Sequence, residues 1–315
     1  MTHAQFLLTA FVVAALVGGG TAWILRWLPV GGRRPTALVG LGLPAFVLAL
    51  ATAHVIPRFW STCAAFVGWD RLATVGLLAV VWGSAAGAVV VNVARIYTAQ
   101  RILRTCPPLE DPQIRSSLRA LALRFHLPAP ELSILESASP LSAAGWLHRP
   151  TVVVSRWLVE HLDPEELQAV LSHELAHLAR RAPQVLWVAR LLRDATWYLP
   201  SAWYALGVLE AEEELTADAL AVEITRRPLP LASALATVAR HALGAPDALT
   251  AFGPTPARVL EERLARLLEG RTGRASTAGG TVLAGGILVA AIRAVPHILA
   301  TAAGVLPLYC QLGPA

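Results

Sequence analysis

Four stretches of this chain are long and apolar enough to cross a bilayer, and this limits its fold before anything else does. They are Phe6–Leu28, Ala37–Ile56, Thr74–Val93 and Thr281 to about Leu308. In hydrocarbon a spanning segment must satisfy its own backbone polar groups, and at these lengths only an α-helix does so. Phe6–Leu28 is interrupted only by Thr9, Thr21 and Arg26, and no Lys or Arg precedes it. It therefore reads as a retained span, since a signal peptide carries a basic leading segment. Arg293 in the last stretch is costly at bilayer depth, so it should face protein or snorkel. With 55% hydrophobic and 15% charged residues and a mean hydropathy of +0.55, the chain is too apolar for an ordinary soluble domain.

All 26 basic residues are arginine, and they are scattered, so no nucleic-acid partner is indicated. The pI of about 9.7 fits a membrane protein with positive cytoplasmic loops. Arg26 lies at the end of the first stretch with Arg33 and Arg34 just after it, and Arg95, Arg101 and Arg104 follow the third. Between the second and third, Arg58 and Arg71 are accompanied by Asp70. The bias favours an external N-terminus and a cytoplasmic region after the third span. Cys63, Cys106 and Cys310 have neither disulfide-framework nor metal-ligand spacing.

The water-facing part carries the chemistry. Asp163 can cap a helix, Pro164 suits its first position, and Glu165 and Glu166 complement its N-terminal dipole. That helix contains His173-Glu174-Leu175-Ala176-His177. A turn apart on one face, His173 and His177 can converge on one Zn²⁺, with Glu174 beside the open coordination position. Nine histidines in this composition give such a motif by chance only about 0.01 times. Thr151–Val154 is the clearest strand signal, with a second at Glu131–Leu135, and Pro112–His126 reads as an amphipathic helix. A strand just before such a helix could be a core strand or could offer an edge to an extended peptide.

Further on, Glu210 to Ile224 reads as a second helix with Glu210, Glu212, Glu213 and Glu214 close together. Ala217, Asp218 and Ala221 share the face of Glu214, and the small residues would allow close approach to the histidine helix. Glu214 is thus the favoured third ligand, with Glu213 and Glu210 as alternatives. Glu212 reads as solvated, and Asp218 could orient a ligand imidazole. His241 stands alone and is kept outside the site. The segment 183–209 mixes tryptophans and tyrosines with Arg190, Arg193 and Asp194, which suits a membrane-surface or partly inserted hairpin.

These motifs carry a family likeness between roughly Leu127 and Leu268. Arg149–Ser155, Pro164–His177 and Glu214-Leu215-Thr216-Ala217-Asp218-Ala219 resemble the integral-membrane zinc metallopeptidases of the BlaR/MecR type. They are also similar to the related HtpX and CAAX prenyl protease family. The resemblance implies Zn²⁺ on His173, His177 and Glu214, catalytic Glu174, and a supporting Asp218. Glu261–Leu268 resembles a family element after the zinc site, which makes Arg263 a supporting residue as well.

It further implies a mainly α membrane protein: four transmembrane helices with a cytoplasmic, gluzincin-type α+β metallopeptidase domain between spans three and four. The expected divisions are 1–96 for three spans, 97–276 for the peptidase domain with a membrane-associated 183–209 segment, and 277–315 for the last span. The expected function is cleavage of a cytoplasmic regulator such as a BlaI/MecI-type repressor, at the bacterial plasma membrane. Membrane lipid and a membrane sensor partner are the other expected contacts. The alternatives are an HtpX-like quality-control protease and a degenerate signalling scaffold. Ala182 and Ala217 depart from the sensor-transducer pattern, and no external penicillin-binding domain is expected here.

Overall fold

The computed structural model describes residues 2–62, 68–146, 149–244, 257–270 and 278–304. Of the fourth apolar stretch, the part beyond residue 304 lies outside these. The described residues are mainly helical, with one small sheet, and the chain divides into two compact units.

The first unit comprises Met1–Val93, Trp187–Leu209 and Ser276–Ala315. It holds α1 (His3–Leu25), α2 (Arg33–Thr62), the first part of α3 (Trp69–Thr105) and α11 (Ala278–Gly304). Each of these helices contains a segment long and apolar enough to span a membrane. Thr2 and Gln5 form a capping box that starts α1, and the Asp70 carboxylate accepts from the Ala4 amide at 2.9 Å. Small residues bring the helices together. A Cβ at Gly40 would stand 2.9 Å from Thr21 Oγ1, and one at Gly280 would run into the Gly32 carbonyl. Arg293 is exposed on α11, so it does not face protein.

Two further helices, α7 (Ala182–Ala195) and α8 (Pro200–Thr225), make a hairpin whose tip belongs to this unit. Ser84 Oγ on α3 donates to the Ala195 carbonyl at 2.9 Å, and Asn92 Nδ2 donates to Asp194 Oδ2 at 3.1 Å. Tyr198 packs on Phe11, and Arg193 lies over the Trp203 ring at 4.0 Å. Ser84 is nine residues before Val93, or about 14 Å along the helix. The hairpin tip is therefore level with the middle of the apolar stretch Thr74–Val93.

The second unit comprises Ala94–Leu186 and Glu210–Ala275. It contains α4 (Pro112–Arg124), β1 (Glu131–Leu135), β2 (Ser142–Trp146), β3 (Pro150–Ser155), α5 (Arg156–His161), α6 (Pro164–Ala179), α9 (Pro228–Gly244) and α10 (Ala257–Leu268). The sheet order is β1-β3-β2, with β1 parallel and β2 antiparallel to β3. Val152 and Val154 join Leu118, Leu158, Leu171 and Leu175 in one core. All six residues of β3 are buried, which its run of β-branched residues favours.

The centrality of β3 corrects one expectation. No edge near Val152–Val154 is available to a peptide, because β1 and β2 occupy both sides. Beyond β1, the Leu109 amide donates to Leu132 O and the Ile134 amide to Pro107 O. Among the described residues, the outer side of β2 is the sheet edge without a strand partner. Ser142-Ala143-Ala144-Gly145 has neither strand propensity nor alternation, so β2 left no signal in the sequence.

Candidate metal centre

Asp163 caps α6, accepting from the Glu165 and Glu166 amides, while Glu166 reaches back to the Asp163 amide. Pro164 is the first helical residue, as its fixed φ favours. The helix ends at Arg180, and Arg181 at φ 53° breaks the path into α7. Within this frame His173 and His177 lie one turn apart, with Nε2 atoms 3.0 Å from each other.

Glu214 comes from α8, which approaches α6 over small residues. Ala217 and Ala221 are buried, and Ser172 Oγ donates to the Ala221 carbonyl at 3.4 Å. Glu214 Oε2 is 3.6 Å from His173 Nε2, and Glu214 Oε1 is 3.5 Å from His177 Nε2. Donor atoms around one tetrahedral Zn²⁺ stand about 3.3–3.6 Å apart. The two nitrogen–oxygen separations match that range and the 3.0 Å between the Nε2 atoms is a few tenths of an ångström shorter, so a small shift of one ring fits the ion; among the described residues no other such group forms.

Behind the triad, Asp218 Oδ1 lies 2.8 Å from His173 Nδ1. Arg263 on α10 grips Asp218 through Nε at 2.7 Å and Nη2 at 2.9 Å. Its Nη1 also meets Glu214 Oε2 at 2.8 Å. One buried guanidinium thus fixes both carboxylates. The remaining site residue, Glu174, is buried on α6, and Ser142 Oγ on β2 donates to its Oε1 at 2.6 Å.

The electrostatics favour positive charge at the triad. Burial opposes a proton on His173, but Asp218 and Glu214 outweigh it and raise its pKa to about 10. Burial and then charged His173 depress His177 to about 4. Burial would raise Glu214 and Asp218, yet Arg263 and the histidine hold both below the usual carboxylate range. For Glu174 burial prevails and raises the pKa, partly offset by His173 and the Ser142 hydroxyl.

His173, His177, Glu214, Asp218 and Arg263 are brought together, and Glu174 stands beside them. Glu212 is not solvated as the sequence suggests, and Glu213, an alternative ligand there, stands outside the triad. Both are fully buried, with Glu213 Oε2 facing Arg180 Nε at 3.4 Å, so neither lies on a solvated face. His241 packs on Trp157, whose ring also stacks with His161. Ser142 was not foreseen, because its contact with Glu174 spans 32 residues and depends on the unread strand.

A family model described as BlaR1 peptidase M56 matches residues 51–229, more than half of the chain. The chain belongs to that family. The match covers the segment from His173 to Asp218 and stops before Arg263, which the resemblance gave as a supporting residue and which reaches Asp218 in the fold. This M56 family member is also similar to proteases named as HtpX homologues. The Methanopyrus kandleri protein is 26% identical over 199 residues, 52% of this chain and 60% of the relative. The one from Burkholderia thailandensis is 26% identical over 235 residues, 58% of this chain and 81% of the relative. The one from Aquifex aeolicus is 35% identical over 117 residues, 35% and 38% of the two chains. The chain thus spans less than two thirds of some of these relatives. The crystal structure of S. mikatae Ste24p aligns with 84% of this chain and 97% of its own, at 14% identity and a TM-score of 0.40.

Proposed function

We propose that this M56 peptidase is a zinc endopeptidase of the bacterial plasma membrane that cleaves a cytoplasmic regulatory protein, such as a BlaI/MecI-type repressor. The observation that carries the reading is the triad of His173, His177 and Glu214, whose donor atoms lie within 4.8 Å of one another, beside buried Glu174. These three side chains would hold the ion. A bound Zn²⁺ supplies Lewis acidity, polarising a scissile carbonyl and acidifying water.

The protein's own groups do the rest. Glu174 takes the proton of the attacking water and returns it to the leaving amine. The Ser142 hydroxyl occupies Oε1, which directs proton transfer to Oε2. Asp218 orients the His173 ring, and Arg263 holds Asp218 and Glu214 in their ionised forms. An extended substrate adds as a strand to the outer side of β2 and presents one peptide bond to the site. The α7–α8 tip dips into the bilayer as a re-entrant hairpin, since it is level with mid-α3 and its charges pair within the protein.

Glu174→Gln tests the chemistry. The purified variant should keep its zinc and lose cleavage, and a variant that still cleaves would remove the assignment. Cells carrying it should accumulate a very short set of intact proteins that includes a DNA-binding repressor. The similarity to HtpX homologues favours a second reading, membrane-protein quality control. That reading gains if many damaged membrane proteins accumulate instead.

A further inference from the structure

The second unit also carries a cleft of about 700 Å³, lined by residues from α3, α4, β1 and the approach to β3. Four arginines from three separate stretches line it. They are Arg104 near the end of α3, Arg115 and Arg119 on α4, and Arg149 just before β3. Among the described residues none of the four makes an ion pair, and Glu131 is the single carboxylate in the lining. Two exposed arginines outside the cleft are paired, Arg156 with Glu136 and Arg227 with Glu165.

The clustering opposes helix stability. Arg115 and Arg119 are one turn apart, a like-charge spacing that destabilises a helix. The nearest acid on that helix, Asp111, is committed to capping the Gln113 and Ile114 amides. An anion in the cleft would relieve this repulsion.

The lining is mixed, with Leu103, Leu118 and Leu132 beside the polar groups. Ser133 and Thr151 are among the latter, and they alternate along their strands with Leu132 and Val152, which enter the core shared with α6. No aromatic side chain lines the cleft, so it offers no stacking platform for a nucleobase.

Four arginine forks against one carboxylate match a group with several negative oxygens. We propose that this cleft binds a multiply charged phosphate group, presented either free in solution or as the head of an anionic lipid. The proposal is independent of the peptidase reading.

The test uses the full chain in non-ionic detergent, titrated calorimetrically with pyrophosphate. Saturable, salt-sensitive binding is expected, weakened about tenfold or more in R115Q/R119Q and again in R104Q/R149Q. R156Q, which alters a paired arginine outside the cleft, should leave it unchanged. The same titration in nanodiscs of phosphatidylcholine, with and without phosphatidic acid, distinguishes the sources. Competition by phosphatidic acid that requires Arg115 and Arg119 assigns a lipid headgroup, and equal binding in both discs assigns a free phosphate. Absence of saturable binding, or binding that both double variants retain, overturns the proposal.

Discussion

His173 and His177 hold their Nε2 atoms 3.0 Å apart, so in metal-free protein the two rings carry one proton between them. With His173 raised to about 10 and His177 lowered to about 4, the folded pair keeps that proton across the intervening range. Unfolded histidines each titrate near 6.5. Below that value the unfolded chain binds two protons against one, so stability falls as pH drops towards 4. Above it the unfolded chain binds none against one, so stability falls as pH rises towards 10. Chelator-treated protein should therefore show this pair's contribution as a maximum near pH 6.5 in denaturant titrations. The maximum should vanish in His173→Ala, and its persistence there would show that other groups cause it.

The acidic residues of α8 differ in what they support. Glu214→Ala should lower zinc content sharply while leaving the protein folded. Glu212→Ala removes a fully buried carboxylate and should instead cost about 1–3 kcal/mol of stability, with zinc per folded chain unchanged. Asp218→Asn should weaken zinc binding or activity by about 10–100-fold. Parallel metal analysis and thermal unfolding separate the three, and equal small effects would remove Glu214 from the ligand set. Ser142→Ala should lower kcat on a casein substrate while sparing KM and zinc, with partial rescue by Ser142→Thr.

Among the elements, α6 is set by its own ends. Its capping box satisfies amide groups that would otherwise be unpaired at the N-terminus. Asp163→Ala should cost about 1 kcal/mol, read as a lower denaturation midpoint. An unchanged midpoint would mean that packing against the core holds the helix start by itself. The hairpin of α7 and α8 depends on distant partners instead. Asn92 and Ser84 meet it across 102 and 111 residues, which no local pattern encodes.

For the whole molecule, the side of the membrane that the site faces decides which substrates it can meet. Reporter fusions after Arg34 and near Arg104 should read cytoplasmic, and one near Asp70 external. A cytoplasmic signal near Asp70 would invert the arrangement and place the peptidase chemistry outside, away from any repressor. The two compact units interleave in sequence, since Trp187–Leu209 returns to the unit of apolar helices between His177 and Glu214.

What the sequence by itself determined is what short-range periodicity encodes. Long apolar runs specify the candidate spans, because hydrocarbon accepts only internally bonded backbone. The i, i+4 spacing puts His173 beside His177 and Glu214 in line with Asp218, because both pairs ride one helical face. Strand β3 was legible from its β-branched run, but its place at the centre of the sheet was not. That place depends on β2, whose Ser, Ala and Gly residues pair only because the sheet is already there. Tertiary structure alone brought Ser142 to Glu174 and Arg263 to Asp218, across 32 and 45 residues. It also buried Glu212 and Glu213, because a charge's surroundings are set by the elements that fold over it and not by its neighbours in the chain.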